Sequence, residues 1–419
     1  MEEKVVAVIG SGPAGLSAAV SLRAGGVIPL ILERKERLSL KLLASGGGRC
    51  NFSNILPQEE FMASFGRNGK FMRNALNCFS RTHLLDFLEQ HGVKAVLTDD
   101  FYYFPSSGKA SDVQRAFLHA AQPRIRTGCE VRQILKKEDG SVCGVLLSDG
   151  EKIFCNNVVL AGGSCAWKGL GSMAGLSLAE KAGHTIQTPL PAVAPLLIGE
   201  EWVHSLAGVT LPQGALTLKL KRRTLETRGS ILFTHKGLSG FPALDLAGEA
   251  SRLCAGEASR LCAGEGKGIL HLNFNTSVSA EKWGKIFLEG RKKEGNIFVK
   301  TLLSRYLVRS AAEILCSLCG CEQTMLCRLS TSSLDLLKEK LTRCPLTLLG
   351  SGPMGEAMVM KGGICLKEVD PSTMESRLMK GLYFAGEILD LDGPCGGYNI
   401  QWAFSSGALA GKSCAESSL

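Results

Sequence analysis

The chain opens on a continuous apolar run, KVVAVI at residues 4–9, with no polar alternation. Such a run reads as a strand buried on both faces, as in parallel sheets. A glycine cluster follows at once, GSGPAG at 10–15, and then LSAAVSLRAGG, a small-residue helix pattern that stops at paired glycines. A second apolar run, VIPLILE, ends in Glu33. Strand, glycine turn, helix, strand and acid, with the acid about twenty residues past the glycines, is the order of a dinucleotide-binding unit. Gly10 is expected to allow the tight turn, Gly12 to let backbone N–H groups meet a pyrophosphate, and Gly15 to let helix lie against strand. The helix N-terminus adds partial positive charge for the phosphates. Glu33 is expected to accept hydrogen bonds from adenosine ribose hydroxyls and to repel a 2′-phosphate.

The far end of the chain distinguishes FAD from NAD. GLYFAGE at 381–387 predicts a short strand ending in Gly386 and Glu387. Gly396, Gly397, Tyr398 and Asn399 come next, before IQWAFSSGALAG, a helix pattern with small residues on one face. In FAD proteins of the glutathione-reductase type, a late strand ends with Gly and an acid that holds the ribitol. The next helix aims its positive N-terminus at the flavin, where it stabilises the anionic reduced ring. An NAD-only dehydrogenase has no need of this second element, so FAD is expected. Between the two ends, VVLAGG at 158–163 predicts a strand whose Ala161 and Gly162 pass beneath the cofactor. IRTGCEVRQIL predicts another, on which Val131 presents its backbone to adenine. Gly46, Gly47 and Gly48 precede Arg49, Cys50 and Asn51. Three successive glycines free backbone donors for an anion, and Arg49 is a candidate to pair with phosphate or a substrate anion.

Composition narrows the function classes. At 419 residues, 45% hydrophobic and 21% charged, the chain is expected to form two or three soluble domains. The net charge of +9 has no dense Lys/Arg tract behind it. Diffuse charge of this kind suits a pyrophosphate or an anionic small substrate, and a nucleic-acid partner is not expected. Sixteen cysteines would suggest disulfides in a small secreted chain. This one is long, starts with MEEK and lacks an export signal or a membrane-length apolar run, so reduced thiols and a cytoplasmic location are expected. Cys50 has no second Cys five positions on, where Ile55 stands, which excludes a disulfide-reductase dithiol. Cys316, Cys319, Cys321 and Cys327 supply one CxxC pair without a His, so no metal site is expected. A second GxGxxG, GSGPMG at 350–355, lacks a following helix and strand–acid unit and reads as chance. Any nicotinamide cofactor is therefore expected to dock transiently. GEASRLCA occurs twice in tandem, at 248–255 and 256–263, a local duplication with no functional reading.

Five segments in order carry a family resemblance: LLASGGGRCNFSN (42–54), FPSSGKASDV (104–113), LPAVAPL (190–196), ILFTHKGLSG (231–240) and EVDPSTMESRLMKGLYFAGEILDLDGPCGGYNIQWAFSSGALAG (368–411). With them the chain resembles the bacterial NAD(P)/FAD-dependent flavoproteins of aminoacetone-oxidase-like and BaiN-like type, nearly end to end. The implied fold is α/β: an FAD-binding Rossmann-like domain of glutathione-reductase type, interrupted by an inserted β-barrel-like domain with a helical subdomain. Residues 1–190 and 356–419 would form the FAD domain, and 191–355 the insert, with its helical piece at about 277–342. Ala14, Arg34, Lys41 and Ile400 join the cofactor-binding candidates, and the THKGLSG loop with His235 is expected to approach the flavin. His235, Lys109 and Tyr398 are the candidate proton donors, with Tyr102 and Tyr103 behind them. The implied activity is NAD(P)H-driven reduction of a conjugated C=C in a hydrophobic substrate, with bile-acid-like compounds among the candidates. An amine oxidase using O₂ and a nucleic-acid-associated flavoprotein are the alternatives. The chain departs from the family at GSMAGLS (171–177), at Gly229-Ser230 and at Ser53, where relatives carry GSTGDGY, Gly-Glu and Thr.

Overall fold

The computed structural model describes residues 5–220, 223–261 and 268–418. The chain divides into two compact units, Met1–Pro189 with Val359–Leu419, and Leu190–Met358.

In the first unit the opening apolar run is strand β1 (Val5–Ile9), the small-residue segment is helix α1 (Pro13–Ala24), and the run ending at Glu33 contains β2 (Ile28–Leu32). β1 and β2 pair in parallel, Val5 beside Ile28 through Ile9 beside Leu32. β3 (Arg124–Arg126) joins β2, and β4 (Val158–Leu160) joins β1, both in parallel. Ala7, Val8 and all three residues of β4 are fully buried, which is why these runs show no polar alternation.

The second unit holds a closed antiparallel barrel. Its strands are β5 (Leu196–Ile198), β6 (Thr210–Lys219), β7 (Thr224–Thr234), β8 (Gly237–Ser239), β9 (Gly268–Asn273) and β10 (Cys344–Ser351), in the order β5-β8-β7-β6-β9-β10. Leu218, Ile231, Phe233, Leu270, Leu272, Leu346 and Leu348 alternate with half-buried or exposed neighbours and, with Leu216, fill its interior. Closure leaves no unpaired edge. Helix α2 (Phe241–Leu261) contains the first GEASRLCA copy and most of the second, whose last residues lie outside the described ones. The helical piece comprises α3 (Ala280–Glu294), α4 (Arg309–Leu318) and α5 (Thr331–Arg343), packed around Trp283, Phe287, Leu315 and Leu341. Cys316 and Cys321 are buried there and Cys327 is exposed. After β10, residues 352–358 turn without forming a helix, so GSGPMG opens no phosphate-binding unit.

Back in the first unit, β11 (Leu382–Phe384) pairs in parallel with β4 and completes a five-stranded sheet, β11-β4-β1-β2-β3. The chain ends in α6 (Tyr398–Ser418), whose small residues lie against those of α1. A Cβ on Gly407 would stand 2.1 Å from the Ala14 carbonyl oxygen, and one on Gly411 2.3 Å from that of Ala18. A Cβ on Gly25, just past α1, would stand 2.5 Å from that of Ala415. The two helices touch backbone to backbone, as no larger residue would allow. A Rossmann-type parallel sheet interrupted by a barrel with helices is the architecture the resemblance implies.

One buried polar group braces β11. His184 has a fully buried side chain, with Nδ1 3.2 Å from Glu368 Oε2 and Nε2 2.8 Å from Ser376 Oγ. Ser376 Oγ already accepts from the N–H groups of Leu378 and Met379 (3.0 and 2.9 Å), so its hydroxyl donates to Nε2 and Nδ1–H donates to Glu368. That arrangement requires a neutral imidazole. Burial pushes its pKa below the ordinary 6.5, against the opposing pull of Glu368.

Two predictions follow from this packing. Gly407→Ala is expected to destabilise the protein by roughly 1–3 kcal/mol through forced separation of α1 and α6, seen as a fall of several degrees in Tm. An unchanged Tm would mean the helices do not touch there. Because His184 resists protonation when folded, stability should be constant above about pH 6.5 and fall below it, as the unfolded imidazole takes up a proton the native one refuses. Urea midpoints measured across that window should slope less in His184→Gln than in the parent.

Candidate functional site

Segments from both ends of the chain meet where β1, β4 and β11 end. Gly10 has φ +102°, and a Cβ on it would stand 2.4 Å from the Ala161 carbonyl oxygen. The Ala161 N–H donates to Ile9 O at 2.9 Å. Gly162 packs against the Gly175 backbone, where a Cβ would be 3.0 Å from Cα. Gly386 has φ +83°, and a Cβ on it would come within 2.8 Å of the Ala14 Cβ. Gly10, Ala14, Ala161, Gly162 and Gly386 thus lie together.

The turn into α1 has the form the sequence predicts. A Cβ on Gly15 would sit 2.0 Å from Gly10 O, so helix and turn are in direct contact. Gly12 is the N-cap residue; no side chain caps the helix, and a Cβ on Gly12 would meet nothing within 4 Å. The first-turn N–H groups have no intrahelical acceptor, and with the helix dipole they form a place for an anion. Glu33 stands at the end of β2. Its Oε2 accepts from the N–H and hydroxyl of Ser11 (3.1 and 2.5 Å), and its Oε1 from the Lys35 N–H (2.9 Å). Oε1 keeps a lone pair for one further donor. Ser11 Oγ also accepts from the Ser39 N–H at 2.9 Å. Arg34 follows, half-buried, and the Cys129 N–H donates to Glu33 O at 2.9 Å, bringing buried Val131 to this end of the sheet. Ser11 and Ser39 were not legible as site residues, since nothing in the sequence marks a serine in the glycine motif as a brace for the acid, or one 28 positions later as its partner.

An ion pair ties the two ends of the chain. Lys41 Nζ lies 2.6 Å from Glu387 Oε2 and 2.9 Å from Ser164 Oγ, while the Met360 N–H donates to Glu387 Oε1 at 3.0 Å. The two side chains are 27% and 14% exposed, so solvent and salt screen the pair only in part. Glu387, the expected ribitol acid, thus has one protein donor on each oxygen. Ser164 and the Met360 backbone escaped the sequence reading.

A second group forms around the N-terminus of α6. Gly46, Gly47 and Gly48 take left-handed φ values of 56°, 67° and 87°, and a Cβ on Gly47 would meet nothing. Arg49 is exposed, its guanidinium 4.8 Å over the Phe104 ring. Cys50 is fully buried with φ +63°, and burial pushes its thiol up to about 12. It stays protonated and is a poor nucleophile. Asn51 Oδ1 is buried without a hydrogen-bond partner. Asn54 Nδ2 donates to Gly396 O at 2.9 Å, and a Cβ on Gly397 (φ +82°) would stand 2.6 Å from the Ser53 carbonyl. The glycine-rich segment therefore abuts the start of α6. Asn399 pins the preceding loop by accepting from the Gly393 N–H (2.8 Å) and donating to Gly393 O (2.9 Å), with half-buried Ile400 next.

The proton-donor candidates are placed differently. Tyr398 is buried in this second group, stacked on Phe61 at 5.1 Å, and Tyr102 packs over Gly396. Lys109 is exposed at the N-cap position of the helix Ala110–Ala121. His235 is exposed in the turn after β7, in the second unit. The uncapped α1 end, the open space over Gly12 and Gly47, and the orphaned Asn51 Oδ1 fit a dinucleotide: donors for a pyrophosphate and an acceptor for a ring N–H.

Comparison with known proteins agrees. The family described as HI0933-like protein Rossmann domain matches residues 4–413. The chain is 30% identical to a 3-dehydro-bile acid delta(4,6)-reductase of Clostridium scindens, over 98% of this chain and 99% of that one. It is 28% identical to a ribosomal RNA dihydrouridine synthase of Escherichia coli, over 97% and 96%. Among solved structures, the 3-ketosteroid-delta4-(5alpha)-dehydrogenase of Rhodococcus jostii RHA1 shares the fold with a TM-score of 0.51 at 14% identity, covering 99% of this chain and 97% of that one. No described helix is long and apolar enough to cross a membrane. With a match running from the first strand to the last helix, this chain belongs to the HI0933-like Rossmann family.

Proposed function

We propose that the chain binds FAD and uses NAD(P)H to reduce a carbon–carbon double bond conjugated to a carbonyl group. The observation that carries this reading is the uncapped, sterically open N-terminus of α1 beside Glu33, joined to the far end of the chain by Lys41 and Glu387. FAD, when bound, supplies two-electron hydride chemistry that no side chain can. The protein's share is binding, orientation and proton supply. Gly12 and the first turn of α1 hold the pyrophosphate, Glu33 a ribose hydroxyl, and Lys41 keeps Glu387 charged and oriented. In the net reaction NAD(P)H gives up a hydride, the double bond gains it at the carbon β to the carbonyl, and the α carbon takes a proton. Tyr398, buried at the start of α6, is our first candidate for the proton, with Lys109 and His235 behind it.

The relatives' names support the reaction class. A delta(4,6)-reductase and a dihydrouridine synthase act on unlike substrates, yet each name describes saturation of a ring double bond conjugated to a carbonyl. A hydrophobic acid of bile-acid type is our first substrate, and the diffuse net charge of +9 suits its carboxylate. The relatives from Escherichia coli and Haemophilus influenzae favour a second reading, in which the double bond belongs to a uracil in RNA.

Anaerobic mixing decides the driver and then the acceptor. NADH or NADPH should bleach the bound flavin, and a 3-oxo-Δ4 bile acid should restore its colour. Bleaching by an amine but by neither nicotinamide would overturn the reading in favour of an oxidase. RNA binding that collapses with rising salt, together with recolouring by RNA alone, would select the second substrate.

Two variants probe the site itself. Gly12→Asp has room for its side chain and supplies a favourable N-cap, so the apoprotein should be as stable or more so. Its carboxylate would occupy the anion position, and FAD retention should fall at least about 100-fold, the size of a few kcal/mol of lost phosphate binding. Undiminished FAD retention would remove α1 from the site. Lys41→Met leaves Glu387 unpaired in a poorly hydrated position and should weaken FAD retention about tenfold, with partial recovery in the double variant Lys41→Met/Glu387→Gln.

A further inference from the structure

The first unit carries a separate antiparallel sheet of three strands, Val131–Lys136, Val142–Leu147 and Lys152–Phe154. Gly144 pairs with Phe154, Val145 with Ile153 and Leu146 with Lys152. One step further along the same register, Cys143 stands directly opposite Cys155, and the Cys155 N–H donates to Cys143 O at 3.2 Å. Opposed residues joined in this way share one face of the sheet, with Cα atoms about 5.5 Å apart. A disulfide spans Cα separations of about 4.4–6.8 Å.

The strands are drawn together beside this pair. A Cβ on Gly144 would stand 2.4 Å from Ile153 O and 3.1 Å from the Phe154 Cα. On its other side Cys143 is the extra residue of a β-bulge, since Leu135 pairs with Gly144 and Lys136 with Val142. A bulge re-aims the side chains around it.

The two thiols differ in access. Cys143 is half-buried, whereas Cys155 is only 8% exposed. Burial pushes the Cys155 thiol up to about 11, so it stays protonated and reacts only with a sulfur placed against it. Its sulfur accepts from the Ala7 N–H on β1, a weak bond that rotation toward Cys143 would give up. Cys414 on α6 also lies near Cys155, but it is fully buried and belongs to no ladder with it.

We propose that Cys143 and Cys155 are a redox-sensitive pair that closes to a disulfide, with a small-molecule disulfide of the glutathione type as oxidant. The Cys143 thiolate attacks one sulfur of the oxidant, and the other sulfur leaves as a thiol. Cys155 then gives up its proton and attacks the Cys143 sulfur, which forms the protein disulfide and releases the second small thiol. The protein loses two electrons and two protons, and the oxidant's S–S bond takes up both. Excess small thiol reverses each step, as befits a transient bond in a reducing compartment. The pair does not rest on the flavin reading.

Peptide mapping by mass spectrometry tests it. The full chain, incubated with oxidised glutathione, alkylated and digested, should yield peptides cross-linked through Cys143 and Cys155, which dithiothreitol separates. Modification of the exposed Cys327 in the same sample shows that the oxidant has acted. Cys155→Ser should halt the reaction midway, leaving glutathione on Cys143 in at least about tenfold greater amount than in the parent, because the neighbouring attack is lost. Cys143→Ser should leave Cys155 unmodified, and either variant decides the matter should the other fail to fold. Free Cys143 and Cys155 beside a modified Cys327, a lasting glutathione adduct on Cys143 in the parent, or linkage of Cys155 to Cys414 would overturn the proposal.

Discussion

The first unit is organised by a single steric condition: α1 and α6, near the two ends of the chain, must meet backbone to backbone. Gly407 and Gly411 make that approach possible against Ala14 and Ala18, and Gly25 does the same against Ala415. Close approach fixes where the first turn of α1 stands relative to the residues that follow β11. Gly386 can then lie against Ala14, and β11 can enter the sheet beside β4. A bulkier seam would push α1 and α6 apart and break the contact of Gly386 with Ala14.

Electrostatics acts on this frame instead of creating it. The uncapped end of α1 carries partial positive charge, and Glu33 is steadied beside it by Ser11 and Lys35. Lys41 and Glu387 pair across the junction in partial burial, where charge is screened less than at the surface. His184, which plays no part in this, is satisfied internally between Glu368 and Ser376. Cys50, central in the glycine-rich segment, is held protonated by burial and acts through packing.

Ser53 Oγ and Gln401 Oε1 are among the buried polar atoms left without a hydrogen-bond partner. Ser53 belongs to the segment that abuts the start of α6, and Gln401 to α6 itself. Ser53 lines a cavity wall, and its own backbone meets Gly397.

Local chemistry alone determined the first strand, turn, helix and second strand, because a continuous apolar run, spaced glycines and a terminal acid each constrain the few residues around them. It also predicted the late strand before Gly386 and Glu387 and the small-residue helix after it, which stand as β11 and α6. The barrel became legible through the family resemblance, as alternation in short strands gives neither their order nor their closure. Only the tertiary structure decided that Lys41 pairs with Glu387 across 346 positions, that Ser11, itself held by Ser39, braces Glu33 while Ser164 holds Lys41, and that Ser53, Arg81 and Gln401 line one cavity. It also separated buried Tyr398 from exposed Lys109. The reason is physical: a serine, lysine or glutamine makes its bonds to whatever the fold brings within about 3 Å, and no spacing along the chain records which residue that will be.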